Sequence, residues 1–417
     1  MSTKRFIKPI IKFGLVLLTG PFVFGQNLDL LTSYSFGQYR GMGGAGLALS
    51  RDLFAIDLNP AGLSHIKTLQ AGISVSGSLH DYQLINERVE EELARIFKWQ
   101  KLSQSLNSML FALPYKTKAG LGFGYAKRIS PYLYNQRRAI TWSPLFNQQT
   151  DGGLSSVLVS WAYQYSPLLS IGMTGYHYFG AVKSVVHGEN HDQDVDKWAK
   201  IASVFSGNSL RAGLQYQTEK LRLGLTIEPP SELNIELKKS ISRDSLYVGL
   251  FPGYSNTSWD QPFTIGLGVA YRFDKNTLLA LDLEARHYKD SEVSFNLFEY
   301  GESPEWADLF LIRVGLEKEQ VFGAFPLRTG YALIPQLYTS TTIHPPFGET
   351  AVLEKGAQNL KQVLSLGTSH HLGTQLFHLA FEYSWLRWER ELSTYITVND
   401  ECLEQAFVLS FDWIYSL

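Results

Sequence analysis

The stretch that decides the fold is LALDLEARHY, residues 279–288. Leu281 and Leu283 share one side of this stretch, while Asp282 and Glu284 lie on the other. Successive side chains of a β-strand point to opposite faces, whereas a helix would mix the two sets. The stretch therefore predicts a strand with one purely apolar face and one polar face.

The same alternation recurs along the chain. It is found in residues 221–228, 264–273, 377–385 and 406–417. A soluble sandwich would alternate as well, but very short turns here are separated by long polar connections, which is the asymmetry of outer-membrane barrels. We therefore predict an all-β fold, an antiparallel transmembrane β-barrel of about 14 strands whose apolar face contacts lipid. The polar face would line the lumen.

The N-terminus has the pattern of a secretory signal peptide. Four cations precede the apolar run FGLVLLTGPFVF, and a small residue, Gly25, follows it. We assign residues 1–25 to the signal peptide. The lone Cys402 excludes an internal disulfide and a cysteine metal cluster. The formal net charge of −2 argues against a nucleic-acid partner, which would favour a basic surface.

The remaining chain divides into residues 26–68 and a barrel over residues 69–417. The first part is too short to bury a stable core by itself, so we expect it to fold inside the lumen as a hatch. Its glycines at 41–46 fit the spacing G-x-G-x-x-G of a dinucleotide-binding loop. That loop requires a buried strand before it, and TSYSFGQYR, residues 32–40, supplies none. The glycines instead predict turns and close backbone contacts in a plug.

The stretch RGMGGAGLALSRDLFAIDLNPAGL, residues 40–63, followed by such a barrel, resembles the FadL-type outer-membrane transporters. The segment Asn59–Leu63 is similar to the hatch motif of that family. The resemblance implies passive uptake of hydrophobic small molecules such as long-chain fatty acids, gated by the hatch. It implies neither an enzyme nor a cofactor nor a metal, and its partners are the ligand and outer-membrane lipid. The hatch residues carried over are Arg40, Gly41, Gly43, Gly44, Asn59, Pro60 and Ala61.

The family also implies a lateral opening in the barrel wall beside a kinked strand. Gly120, Gly122 and Gly124 lie on one face of the third predicted strand, which ends at Pro131. Glycine and proline weaken strand pairing, so an opening is expected here. The alternative is that these small residues only make room for the hatch.

Charged residues on the lumenal face could anchor the hatch or bind a ligand carboxylate. An arginine fork matches a carboxylate, although lumenal charges also commonly pair with one another. The residues concerned are Arg222, Asp282, Glu284, Arg286, Arg313, Glu317, Arg328 and Glu382.

Other interpretations of the sequence remain. Apolar residues at helical spacing predict short helices near residues 86–99 and 195–205, either of which could contact a ligand or pack within the loops. His187 and His191 lack the helical framework of a zinc motif. An outer-membrane lipase would need a serine beside His287, and none can be assigned. The alternative function is a barrel scaffold or shuttle component of a protein-secretion system.

Overall fold

The computed structural model describes most of the chain beyond residue 35. The described residues are 36–85, 99–129, 133–138, 145–189, 197–241, 257–289, 303–323, 325–336, 338–343, 351–355, 359–393 and 397–417. The predicted signal peptide, the predicted helix near residues 86–99, Pro131 and His191 lie outside them.

The described chain is almost entirely antiparallel sheet. Before the first strand lie a short helix, α1 (Gly37–Arg40), and two 3-10 helices, Leu53–Ile56 and Pro60–His65. The strands are β1 (Gln70–Ile85), β2 (Trp99–Tyr115), β3 (Ala119–Ile129), β4 (Leu133–Arg138), β5 (Leu145–Gln164), β6 (Leu169–Glu189), β7 (Lys197–Gln217), β8 (Leu221–Glu228), β9 (Ser231–Ile241), β10 (Thr257–Gln261), β11 (Thr264–Arg272), β12 (Thr277–Arg286), β13 (Ser303–Trp306), β14 (Leu309–Phe322), β15 (Phe325–Pro335), β16 (Tyr338–Ile343), β17 (Ala351–Lys355), β18 (Leu360–Leu372), β19 (Gln375–Ser393) and β20 (Thr397–Ser416).

Seventeen of these segments form one sheet that closes on itself. The last strand, β20, pairs antiparallel with the first, β1, from Gln70 opposite Ser416 to Ile85 opposite Glu401. Three barrel strands consist of two consecutive segments each, namely β3 with β4, β8 with β9, and β10 with β11. The barrel therefore has fourteen strands, which confirms the predicted fold class. The other three segments form a separate small sheet in the order β13-β16-β17.

One end of the barrel carries tight turns, and we call it the short-turn end. Near the opposite end several strands run further than the sequence predicted. The predicted helix over residues 195–205 is wrong, because β7 continues through it and pairs with β6 and β9. Its outward residues there, such as Ser206 and Asn208, are polar and exposed. The lipid-facing pattern stops while the strand continues, so sequence alone places the strand end too early.

The outer wall near the short-turn end is an apolar band. On β11 the outward side chains of Leu267, Val269 and Tyr271 are 50%, 41% and 40% exposed. Gly266 and Gly268 between them are buried on the inner side. The outward apolar run on this strand extends from residue 265 to residue 273, and a transmembrane strand needs about 9–11 residues. Within the described ranges, no helix is both long and apolar enough to cross a membrane.

Candidate functional site

Residues 36–69, which we call the N-terminal segment, begin the candidate site. Each of its two 3-10 helices starts at a side-chain cap. Asp52 accepts a hydrogen bond from the Phe54 amide at 2.9 Å, and Asn59 accepts one from the Ala61 amide at 3.2 Å. Pro60 occupies the first position of the second helix, where its missing N–H costs nothing. The sequence DLNPAG therefore fixes a short helical turn.

The N-terminal segment lies inside the barrel and contacts its inner wall on many sides. Its α1 packs against β18, β19 and β20. Asp282 of β12 accepts hydrogen bonds from the amides of Gly46 and Leu47 at 2.6 and 2.9 Å. Ser64 donates to Ser170 of β6 at 2.9 Å. The segment therefore spans the lumen in its short-turn half.

Glycines of the wall make room for this segment. A Cβ on Gly120 would come within 2.2 Å of the Leu63 carbonyl oxygen, and one on Gly224 within 2.3 Å of the Leu47 carbonyl oxygen. Similar close approaches occur on several other strands, at Gly172, Gly213, Gly315, Gly330 and Gly367. Since backbone meets backbone at most of these positions, the wall and the segment are in direct contact with little space between them.

The glycines within the segment form a turn and a close backbone contact, the two structural roles that the sequence predicted for them. Gly43 and Gly44 have positive φ angles of 66° and 84°, which residues other than glycine rarely adopt. A Cβ on Gly41 would lie 2.8 Å from the Cα of Gly367. These glycines thus shape a turn and a close contact with the wall.

Asn59 links two parts of the site. Its side-chain amide donates to the carbonyl of Leu47 in the segment at 2.9 Å and to the carbonyl of Leu214 in β7 at 3.1 Å. Asn59 is fully buried, and so are its neighbours Pro60 and Ala61. One side chain therefore holds a helix start, a loop and the wall together.

Buried ion pairs connect the segment to the wall. Arg128 of β3, at a β-bulge opposite β5, lies 2.9 Å from Asp57, and both side chains are almost completely buried. Arg211 of β7 donates to the Asp57 carbonyl and pairs with Glu228. Arg40 of the segment pairs with Glu382 of β19 at 2.8 Å. Opposite charges on segment and wall thus satisfy each other where water is excluded.

The sequence missed Arg128, Asp57 and Arg211. Arg128 could have been found, because it falls on the inward parity of a strand whose other inward residues are glycine and alanine, and Arg211 lies on the inward parity of β7 between Ser209 and Gly213. Asp57 lies two residues before Asn59, at which the hatch-like motif begins.

The structure brings several of the predicted lumenal charges together. Glu284 pairs with Arg286 and lies 2.9 Å from Arg313. Arg328 pairs with Glu317 at 2.6 Å and donates to Ser369 at 3.1 Å. These contacts join wall residues to one another. Arg222 makes no ion pair with the residues that the structure describes.

Titratable groups of the segment are shifted by their surroundings. Burial raises the pKa of Asp52 to about 6, against the opposing effect of the hydrogen bond from the Tyr39 hydroxyl. Burial lowers the pKa of His65 to about 4, and the nearby charges of Arg51 and Lys67 lower it further. His65 is therefore neutral at physiological pH.

Further from the short-turn end, the inner wall becomes apolar. Six inward side chains from four strands and the connection after β12 are at most 3% exposed, and we call them the upper cluster: Phe205, Leu233, Ile235, Trp259, Tyr288 and Leu311. The sequence did not single them out, although ELNIE at residues 232–236 alternates polar and apolar residues in full view.

A small cavity lies between the upper cluster and the N-terminal segment. Its lining is mainly polar and includes Arg211, Glu228, Gln261 and Arg286. Tyr288 belongs to both the cavity lining and the upper cluster. The lumen therefore presents an apolar region and a charged region next to each other.

The strand predicted to border a lateral opening is paired on both sides over most of its length. Gly120, Gly122 and Gly124 are in register with β2 and with β5. The pairing of β2 with β3 ends at Ser108 opposite Ala126, and the register recorded for β4 is with β5 alone. The described pairing thus stops above the glycines rather than at them.

The structure places several of the histidines that the sequence offered as candidate metal ligands or catalytic bases. Over the described ranges there is no group of three or more His, Cys, Asp or Glu side chains that could hold a metal ion. His287 faces Asp308 at 3.6 Å and stacks on Phe263. These partners are those of a surface histidine on the outer wall.

Comparison with known proteins agrees with this architecture. A family model described as BamG matches residues 30–309. A Pseudomonas aeruginosa FadL homologue is similar in structure at 12% identity and a TM-score of 0.65, covering 92% of this chain and 99% of its own. The Pseudomonas putida toluene transporter TodX gives 12% and 0.59, covering 91% and 97%. No curated protein matches the sequence. The predicted resemblance to FadL-type barrels is confirmed at the level of the fold.

Proposed function

The chain belongs to the BamG family and has the fold of FadL-type channels, and from this premise we propose that it conducts hydrophobic small molecules across a bacterial outer membrane. In this proposal the apolar band contacts lipid and the short-turn end faces the periplasm. The solved relatives are named as transporters and channels, and we propose passive conduction without covalent chemistry.

The upper cluster carries the proposal. A water-filled outer-membrane channel has a polar interior, whereas here Trp259, Leu233 and Ile235 point inward and are buried. An apolar solute can exchange contacts with such side chains without losing hydrogen bonds. The polar cavity beneath would receive a headgroup, and an arginine such as Arg286 suits a carboxylate. We therefore favour long-chain fatty acids or other amphipathic molecules as ligands.

We further propose that the N-terminal segment acts as a hatch. Its contacts with glycines on several wall strands support a segment that blocks a straight path through the short-turn half of the barrel. A ligand must therefore displace the segment or leave sideways. The end of the β2 and β3 pairing at Ser108 and Ala126 supports a lateral route above the glycines.

Uptake of labelled oleate and labelled toluene by cells tests the proposal at matched surface levels. Asn59→Ala removes the hydrogen bond to the Leu214 carbonyl of the wall and the two that Asn59 makes with Leu47 and Ala61 within the hatch, and we expect faster uptake. Trp259→Ala opens the upper cluster, and we expect a change in rate that differs between the two solutes. Asn234→Ala, on the exposed outer side of β9, is the control and should match the wild type.

Uptake of both solutes equal to that of cells lacking the protein would overturn the channel proposal. Weight would then move to the alternative function, a scaffold or shuttle in protein secretion. Uptake that depends on the protein but is unaffected by Asn59→Ala would retain the channel and remove the hatch as its gate.

A further inference from the structure

Two arginines lie at the short-turn end of the lumen without an acidic partner. Arg51 belongs to the N-terminal segment and Arg222 to β8. Among the residues that the structure describes, neither has an ion pair or a side-chain hydrogen bond. The Nε atom of Arg51 is also shielded from solvent, with no hydrogen-bond partner. A buried donor left unpaired in this way is costly.

The wall geometry places the two arginines in the same part of the lumen. The carbonyl of Ser50 accepts a hydrogen bond from Gln215 of β7 at 3.0 Å. Gln215 is in register with Gly224 of β8. Arg222 lies on the same inward face of β8 as Gly224, two residues closer to the turn. Arg51 directly follows Ser50 in the N-terminal segment. Burial lowers the pKa of Arg51 to about 10, and the positive charge of Arg222 lowers it further.

Acidic side chains in the neighbourhood are already engaged. Asp52 caps the first 3-10 helix. Glu317 pairs with Arg328, and Glu319 lies 3.8 Å from Arg272. The charge of Arg222 is therefore not neutralised by a dedicated carboxylate, although Glu317 and Glu319 lie on nearby strands.

Other cations add to the positive field. Lys67 follows the second 3-10 helix and is exposed, and Arg272 acts on Arg222 from the neighbouring strand. His65 stays neutral, since its pKa is lowered to about 4 chiefly by burial. The mouth thus gathers positive charge around two planar guanidinium groups.

We propose that Arg51 and Arg222 form a binding site for a carboxylate or phosphate group at the short-turn mouth of the lumen. Guanidinium groups bind both anions through parallel hydrogen bonds. An anion there would relieve the repulsion and give the Arg51 Nε atom an acceptor. The site is separate from the cavity under the upper cluster, and it does not depend on hydrophobic transport. The group could belong to a free anion or to a lipid headgroup.

Calorimetric titration of the full-length protein in detergent with inorganic phosphate tests the site. We expect saturable binding that is weakened about 10-fold or more in Arg51→Gln and in Arg222→Gln, in line with the loss of a charge-assisted hydrogen bond. Arg222→Lys keeps the charge without the fork and should retain part of the affinity. Lys275→Gln, in an exposed turn at the same end, is the matched control and should bind like the wild type.

A second titration with dihexanoyl phosphatidic acid separates the two sources of the anion. Tighter binding of the lipid than of phosphate assigns the site to a headgroup, and equal binding assigns it to a free anion. Absence of saturable binding of both probes overturns the proposal, as does equal affinity in the glutamine variants and the wild type. Neither result bears on oleate uptake, so the site and the proposed channel fail independently.

Discussion

Two regions of one barrel wall, β11 and β9, show opposite polarity. In β11, near the short-turn end, Leu267 and Val269 point outward and Gly268 points inward. In β9, further from that end, Asn234 points outward and Ile235 points inward and is buried. Both strands alternate with the same period, and both belong to the same sheet. The wall therefore inverts its polarity along the barrel axis. We call the part of the barrel near the short-turn end the lower region and the part further from it the upper region.

The inversion shows that surroundings, not the strand itself, decide which face is apolar. Around β11 the outside is lipid in our proposal, and the inside is a packed backbone segment that needs small residues. Around β9 the outside is water in the same proposal, and the inside holds the upper cluster. Burial of apolar surface stabilises both regions, but from opposite sides of the sheet.

The largest expected effect concerns the ion pair that links the N-terminal segment to β3 of the barrel wall. Arg128→Met leaves the Asp57 carboxylate buried without its partner, and breaking a buried pair costs about 3–5 kcal/mol. We expect that loss in the free energy of unfolding, measured by denaturant titration in lipid vesicles. Adding Asp57→Asn removes the stranded charge and should recover much of the stability. A double variant as unstable as Arg128→Met alone would show that the pair is not the cause.

The outer surfaces of the two regions give the next largest difference. Leu267→Arg places a charge in the apolar band and should cost about 2–4 kcal/mol in the free energy of unfolding from lipid. Asn234→Arg makes the same addition on the exposed side of β9 and should leave that free energy nearly unchanged. Equal costs for the two substitutions would place both positions in one environment and remove the inversion.

Much of the lower region could be predicted from sequence because its pattern is local. Leu281 and Leu283 against Asp282 and Glu284 already identify the wall, its outward face and its inward charges. In the upper region the sequence predicts a helix over residues 195–205 where the strand β7 continues, since polar residues such as Ser206 replace the expected outward leucines. Alternation was present there as well, but its polarity was the reverse of a lipid-facing strand.

The partners within the site could not be predicted in the same way. Arg128 and Asp57 are far apart in sequence, and their contact depends on the path of the segment across the lumen. Arg222 has no ion pair among the described residues because Glu317 and Glu319 pair with other arginines. These pairings depend on three-dimensional distances, which the alternation of residues along a strand does not reveal.

The inner surface of the lower region can be tested with a single methyl group. A Cβ on Gly224 would lie 2.3 Å from the Leu47 carbonyl oxygen, so Gly224→Ala must displace backbone. Overpacking of this kind costs about 1–3 kcal/mol. We expect faster hydrogen exchange at the amides of Gly46 and Leu47, which bind Asp282.

Gly175→Ala is the matched control for that substitution. Gly175 lies on the outward side of β6, and its added methyl would meet nothing nearer than the Val159 carbonyl oxygen of β5, at 3.9 Å. Exchange at Gly46 and Leu47 should then equal that of the wild type. If both alanine variants left the exchange unchanged, the segment would not be held by contact with the wall glycines.

The smallest expected effect lies on the outer face of the upper region. Lys238 and Glu236 of β9 approach to 3.3 Å, but their side chains are 60% and 55% exposed. A pair so open to water contributes about 0.2–1 kcal/mol, less in high salt. Lys238→Ala should therefore change the free energy of unfolding by no more than this, and added salt should reduce the difference. A cost comparable to that of Arg128→Met would mean that this face is not in water. The wall at β9 would then be covered on both sides. Its outer face would differ from that of β11 in the groups that cover it, and not in facing water where β11 faces lipid.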